Sequence, residues 1–385
     1  MKIAFIGPSD RSIWAFRKGL IIQLKNKGHQ VFVLCPYGEY VLKIKQLGAR
    51  HLEVPFKRFL SPLNDIKCAF YLYKVFKKEK FDFIHNFTVK INLIGGLAGK
   101  IAGVNKIYSL VEGLGFGYPE GSELYKIFLR FFFLILNKLS CSLSSKVWFI
   151  NSDDYNLFIK KRIIQRQKAI LIRSVGVDIN EFCEENISSD DIFRFKKELN
   201  IENSCIDIVI TMIARMIWQK GVREFIESAK ILLKKYSNIM FLLVGEIQPG
   251  SPNSVSVEYL KESECKNIRW LNYRNDIRNI IFLSDIIVLP SYYREGVPRC
   301  LLEGMALGKP LIASDFPGCR EVIKNNINGI LVPIKDPISL ANAIEYMINN
   351  KDFMRNAGIY NRNWAVEEFD ENKIVERVIK EIYEL

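Results

Sequence analysis

Asp285–Glu303 reads DIIVLPSYYREGVPRCLLE. The apolar run up to Leu289 predicts a buried strand, Pro290 and Ser291 its exit, and CLLEGMAL from Cys300 onward a helix. Glu295 then falls in the connecting loop, and Glu303 lies less than two turns into a helix starting near Val297. The unpaired N–H groups of that first turn point back toward Glu295. One short segment thus combines anion-binding amides with two carboxylates that accept hydroxyl hydrogen bonds, a set that suits a sugar nucleotide. A glutamate near a helix N-terminus is also favoured by the macrodipole alone, so the rest of the chain has to decide.

Outward from this stretch the same plan repeats: a β-rich apolar run, a turn, then an amphipathic helix. KIAFIG (2–7) precedes WAFRKGLIIQLKNKG (14–28), and FDFIHNF (81–87) precedes NLIGGLAGKIAG (92–103). HQVFVLCP, NKIYSLVEG and KVWFINS supply further strands. Strands alternating with helices imply parallel sheet with crossover connections. After RSVGVDINEF comes the polar, acidic passage CEENISSDDIFRFKKELNIENSC, which reads as a domain boundary. The pattern then restarts with CIDIVITMIAR and runs through VREFIESAKILLKKY, NIMFLLVGE, IRWLN and PLIASD to LVP. The fold class expected is α/β, two Rossmann-like doubly wound parallel-sheet domains facing a central cleft. Their bounds are placed at 1–183 and 184–365, with a helical segment 366–385 crossing back to the first domain.

The 385 residues exceed one ordinary core and suggest two or three domains, and 49% hydrophobic content is enough to bury large cores. No window reaches the ~18 uncharged apolar residues of a membrane span. MKIAFIGPSD lacks the features of a secretory signal, so a cytoplasmic location is expected. Cys35, Cys68, Cys141, Cys183, Cys205, Cys265, Cys300 and Cys319 form no C-x-x-C pair, and His29, His51 and His85 lie far apart, which supports neither a zinc site nor a disulfide framework. Residues 1–183 carry 29 Lys and Arg against 13 Asp and Glu, and residues 184–385 carry 26 against 29, so the formal +13 belongs to the first half. Such a half points to a polyanionic partner, nucleic acid or anionic lipid. LYKIFLRFFFLILNKL (124–139), apolar with interspersed cations, reads either as a core helix or as an interfacial helix on a membrane surface.

Arg215 ends the strand IVITMIA, and Lys220, followed by Gly221, comes five residues later. A guanidinium fork and a mobile ammonium on the loop after a strand suit a diphosphate. Gly7, with Pro8 and Ser9, ends the first strand in a small-residue turn that lets a ligand approach the backbone. No G-x-G-x-x-G or G-x-x-x-x-G-K-[ST] occurs, which speaks against dinucleotide and P-loop chemistry. Glu112, in LVEGLGFG, ends another strand. There it either orients an acceptor hydroxyl or takes its proton, or only pins the loop.

KGHQVFVLCP, DFIHNFTVKINLIGGLAGKIAGV, RSVGVDINEF, ARMIWQKGVREFIESA, FLSDIIVLPSYYREGVPRCLLEGMALGKPLIASD and GCREVIKNNINGILV together resemble the retaining glycosyltransferases of family 4, which have the GT-B fold. LVEGLG and ARMIWQKGVREFIESA are similar to bacterial enzymes that add an N-acetylhexosamine, such as N-acetylgalactosamine, to an undecaprenyl-diphosphate-linked sugar. The resemblance implies that Arg215 and Lys220 hold the donor diphosphate, that Glu303 binds the ribose, and that Glu295 with the backbone of Gly296 and Val297 contacts the transferred sugar and phosphate. It implies no metal and no cofactor, the UDP-sugar being a substrate. Many relatives carry a histidine at the position of Glu112, so a histidine's role does not transfer.

The expectation is therefore a peripheral enzyme on the inner face of the cytoplasmic membrane, serving surface polysaccharide or glycan assembly. It would move a hexose or N-acetylhexosamine from a UDP-sugar on the second domain to a lipid-linked saccharide on the first, with Arg17 and Lys90 attracting the acceptor's diphosphate. A UDP-N-acetylglucosamine 2-epimerase on the same scaffold is the alternative. A basic nucleic-acid-binding module is a remote one, since no nucleic-acid motif occurs.

Overall fold

The computed structural model describes all residues except 58–60, 120, 202–204 and 252. The chain forms two compact units, Met1–Val175 with Glu371–Leu385, and Gly176–Asp370.

The first unit is built on β1 (Lys2–Ile6), β2 (Gln30–Cys35), β3 (Arg50–Glu53), β4 (Phe83–Phe87), β5 (Lys106–Val111), β6 (Lys146–Phe149) and β7 (Ala169–Leu171). They pair in parallel in the order β3-β2-β1-β4-β5-β6-β7. The second unit uses β8 (Ile208–Ile213), β9 (Ile239–Val244), β10 (Ile268–Trp270), β11 (Ile286–Leu289), β12 (Leu311–Ser314) and β13 (Gly329–Val332), also parallel, in the order β10-β9-β8-β11-β12-β13. Crossover helices cover both faces, which is why the central strands are continuous apolar runs rather than alternating ones. Ile3 to Ile6 and Ile286 to Leu289 are fully buried. The edge strands β3 and β7 escape a pattern search because RHLE is half charged and AIL has only three residues.

In each sheet the strand order reverses once, between β1 and β4 and between β8 and β11. Ligands of open α/β sheets bind outside the carboxyl ends of the strands at such a switch point. Ile286 and Ile287 of β11 lie in register with Ile210 and Thr211 of β8, so the loops leaving these two strands emerge side by side. Arg215 and Lys220 lie on one of them and Glu295 on the other.

The units meet the chain at different places from those expected. The second unit begins at Gly176 because Val177 donates its N–H to the Phe369 carbonyl at 2.8 Å, and Phe182 is buried among Leu301, Leu302 and Phe369. Residues 371–385 belong to the first unit, where Ile374, Val378, Ile382 and Tyr383 join its core. There the Tyr383 hydroxyl is 2.6 Å from His85 Nδ1.

The helix Leu124–Leu143 is not a core helix. It buries Asn137, Ser140 and Cys141, while Phe128, Leu129, Phe131, Phe132, Ile135 and Leu139 are exposed. No helix among the described residues is long and apolar enough to cross a membrane.

Candidate active site

In the second unit, β8 runs out at Ile213 and the chain crosses a short loop and a 3₁₀ turn, Trp218–Lys220, before the helix Val222–Leu232. Gly221 occupies φ +83°, and a Cβ there would meet the Pro290 carbonyl oxygen at 2.1 Å. Only glycine combines that conformation with that approach. The two loops are thereby pressed together: Tyr292 N–H donates to the Gln219 carbonyl at 2.8 Å. Lys220, its side chain 9% exposed, places Nζ 2.5 Å from Oε2 of Glu295, itself 16% exposed. Ser291 Oγ donates to the other Glu295 oxygen at 2.9 Å. An ammonium has three donors and no acceptor, so this pairing fixes Lys220 while leaving donors for a phosphate. Arg215 is steadied by Gln248 Oε1, 3.0 Å from its Nη1. The Tyr293 ring centre lies 5.8 Å from the Arg215 guanidinium and 5.9 Å from Lys220 Nζ. Arg215, Lys220, Glu295 and Tyr293 thus form one cluster at the carboxyl edge of β8 and β11.

The helix carrying Glu303 spans Arg299–Ala306, two residues later than expected from the sequence. Pro298 sets the start: it has no N–H to give to a helical turn, and its φ of −66° suits the entry. Glu303 is held by Arg299 one turn back, with Nε 2.7 Å from Oε1. Burial pushes the Glu303 carboxyl above its ordinary value and Arg299 opposes the shift. Gly296 is clasped from behind: a Cβ on Gly318 would sit 1.7 Å from the Gly296 carbonyl oxygen. Val297 is buried among Leu301 and Leu302.

In the first unit, Gly7 ends β1 and donates its N–H to the Leu34 carbonyl at 3.0 Å; a Cβ there would meet Ile13 at 2.6 Å. Ser9 caps the following helix, Asp10–Asn26, accepting from Ser12 N–H at 3.1 Å. Glu112 stands at the end of β5. Arg17 is no surface cation, contrary to the expectation that it attracts an acceptor. It is 2% exposed, donates Nη2 to Glu112 and Nη1 to the Phe16 carbonyl at 2.8 Å, and stacks 4.4 Å from the centre of the Phe87 ring. An arginine on an amphipathic helix looks solvent-facing in sequence, and tertiary packing turned it inward. Lys90 is engaged by Asp65 at 2.6 Å and by the Lys57 carbonyl at 2.9 Å.

The profile described as Glycosyl transferases group 1 matches residues 194–364, and the one described as Glycosyl transferase 4-like matches residues 2–151. The chain is 34% identical over 383 residues to the N,N'-diacetylbacillosaminyl-diphospho-undecaprenol alpha-1,3-N-acetylgalactosaminyltransferase of Campylobacter jejuni, covering 99% of this chain and 98% of that one. The chain belongs to glycosyltransferase family 4.

A second relative of this glycosyltransferase is the UDP-Gal:alpha-D-GlcNAc-diphosphoundecaprenol alpha-1,3-galactosyltransferase of Escherichia coli, 30% identical across 94% of this chain and 90% of that one. Among solved structures, the Anabaena protein HepE in complex with UDP matches with TM-score 0.79 at 20% identity over 100% of both chains. A Rickettsia africae glycosyltransferase matches with TM-score 0.80 at 22% identity over 99% of this chain and 98% of that one. The fold of the transferase is accordingly the GT-B class expected from its sequence, two Rossmann-like parallel-sheet domains.

Sequence reasoning missed Gln248, Ser291, Tyr293, Arg299 and Gly318, which hold the named residues in place. Of these only Arg299 carried a readable signal, its i, i+4 spacing to Glu303 on a helix.

Proposed function

We propose that this glycosyltransferase moves a hexose or N-acetylhexosamine, GalNAc or GlcNAc favoured, from a UDP-sugar to an undecaprenyl-diphosphate-linked saccharide, retaining the anomeric configuration and using no metal. The observation that carries the reading is the Arg215, Lys220 and Glu295 cluster at the β8/β11 switch point. Arg215 and Lys220 bind the donor diphosphate and neutralise the charge that grows as its bond to the sugar breaks. Glu295, with the backbone of Gly296 and Val297, contacts the transferred sugar and phosphate, and Glu303 accepts hydrogen bonds from the ribose hydroxyls. The acceptor hydroxyl oxygen bonds to the anomeric carbon on the face the diphosphate leaves, and its proton passes to a departing diphosphate oxygen. No covalent intermediate is needed.

The acceptor belongs to the first unit, with Glu112 meeting its reacting sugar. The enzyme works peripherally on the inner face of the cytoplasmic membrane. Support comes from the exposed apolar side of the helix Leu124–Leu143, which the exposed Lys138 joins, and from the basic excess of residues 1–183. Phenylalanines below the headgroups and cations at their level are what an interfacial helix requires.

The test is a screen of UDP- and GDP-sugars against lipid-diphosphate saccharides, read by product mass. Transfer from a UDP-hexose or UDP-N-acetylhexosamine, dependent on acceptor, is expected. Exclusive use of a GDP-sugar overturns the donor assignment, and a new sugar nucleotide formed from donor alone indicates an epimerase.

A further inference from the structure

We infer that Arg17 is a positioning residue for the reaction, a buried cation whose task is to hold Glu112 in one orientation toward the acceptor. The inference rests on the reading above that Glu112 meets the acceptor sugar.

The two residues are 95 positions apart, and the fold brings them together from different elements. Arg17 comes from the middle of the helix Asp10–Asn26, which follows β1. Glu112 follows β5, two strands away in the sheet, with β4 between. The guanidinium lies among Phe87 at the end of β4, 4.4 Å from its ring centre, and Trp148 of β6, 5.7 Å away. The groups bearing on it are Glu112, His85 of β4, and Glu371 and Tyr383 of the closing segment. Glu371 already accepts the N–H of Gly19 at 3.1 Å, and His85 is occupied by Tyr383. Glu112 is therefore the carboxylate that the guanidinium grips directly.

The exposures show which partner faces outward. Arg17 is 2% exposed, whereas Glu112 is 28% exposed at the carboxyl end of a sheet strand. Burying a guanidinium is unfavourable unless it is paired, and burial pushes Arg17 below its ordinary pKa against the pull of Glu112. A fixed fork of donors, walled by aromatic rings, removes the rotational freedom a glutamate on a glycine-rich loop would otherwise keep. With Oε1 taken by Arg17, Oε2 is left to accept a hydrogen bond from a hydroxyl. That arrangement suits orienting the acceptor rather than removing its proton. A simple loop pin would need backbone N–H partners for Glu112, and among the described residues the hydrogen bond found is from the Arg17 side chain beneath it.

The test compares Arg17→Gln, Arg17→Lys, Glu112→Gln and the Arg17→Gln/Glu112→Gln pair in the full-length enzyme, with circular dichroism as the folding control. Turnover with a UDP-sugar and a lipid-diphosphate acceptor is measured beside UDP affinity by calorimetry. Misplacing an orienting group is expected to lower kcat in Arg17→Gln by about 10- to 100-fold, with UDP affinity unchanged. Arg17→Lys should recover part of the loss, and the double variant should be no slower than Glu112→Gln alone. Multiplicative losses in the double variant, or an equal fall in UDP affinity, show that Arg17 acts only as a structural support and overturn the inference. Should Arg17→Gln fail to fold, Arg17→Lys and its pairing with Glu112→Gln give the same cycle. Wild-type turnover in Glu112→Gln, with Lys220→Ala inactive, removes this inference and leaves the proposed function standing. If the wild type transfers from no UDP-sugar, the proposed function falls and this inference with it.

Discussion

Lys220 Nζ lies 2.5 Å from Glu295 Oε2, an ion pair joining the loops that leave two neighbouring strands of one parallel sheet. Both side chains are largely buried, so removing one strands the other. Lys220→Ala should lower kcat by about 10²- to 10³-fold and cost stability toward the lower end of ~3–5 kcal/mol, read as a fall in Tm. Adding Glu295→Ala should return part of the lost Tm without returning activity. Wild-type turnover in Lys220→Ala would remove the cation from the proposed chemistry.

Gly318→Ala tests the backbone behind Gly296. At φ +87° an alanine pays the left-handed penalty of ~1–2 kcal/mol, and its Cβ would sit 1.7 Å from the Gly296 carbonyl oxygen. Gly250, at φ +77° with nothing within 4 Å of its Cβ position, isolates the conformational part. Gly318→Ala should therefore lose clearly more Tm than Gly250→Ala and weaken UDP binding about tenfold or more. Equal effects of the two in melting and calorimetry would show that the Gly296 backbone is not held by this contact.

Glu303 predicts a pH dependence of donor binding. Burial raises its pKa above the ordinary 4.5, with Arg299 pulling the other way. If the carboxylate form accepts the ribose hydroxyls, UDP affinity is full above the raised pKa and falls as pH drops through it, at a higher pH than for an exposed glutamate. Arg299→Gln removes the opposing charge and should move the fall to still higher pH. An unchanged midpoint in calorimetric titrations of that variant would separate Glu303 from the donor.

His85 predicts a pH dependence of stability. Burial first, and Arg17 second, hold its imidazole well below the ordinary 6.5. Below about pH 6.5 the unfolded chain takes up a proton that the folded chain refuses, so stability from this group is present above that pH and lost as pH falls. The slope reaches up to ~1.4 kcal/mol per pH unit for one residue. Urea denaturation at mildly acidic and neutral pH should show a smaller difference for His85→Gln than for the wild type; equal differences would mean His85 is protonated in place.

The placement of Arg215, Lys220 and Glu295 on loops at one sheet edge was legible because each follows an apolar run whose length and β-branched content mark a buried strand, and parallel strands deliver their loops to one edge. The two-domain α/β class was legible for the same reason. Arg17 was not: its partner is 95 residues away, and its local pattern, a cation in an amphipathic helix, is shared by solvent-facing arginines. Nor was the fate of Leu124–Leu143, because apolar periodicity does not say whether a face meets protein or something outside it. Gln248, through its hydrogen bond with Arg215, and Ser291, whose hydroxyl joins Glu295 to the Tyr293 N–H, support site residues through contacts that leave no spacing to read.

Residues 371–385 complete the core of the first unit although the whole of the second unit lies between them and Val175. The second unit is therefore an insertion, and all of it is synthesised before the segment that closes the first unit. Its sheet can form during translation, since domains fold as units as they emerge. The earlier unit must wait as an open sheet, with Phe83 and Tyr108 lacking the Tyr383 ring that packs against both. A released chain truncated after Asp370 should hold a protease-resistant second unit and a cleavable first one.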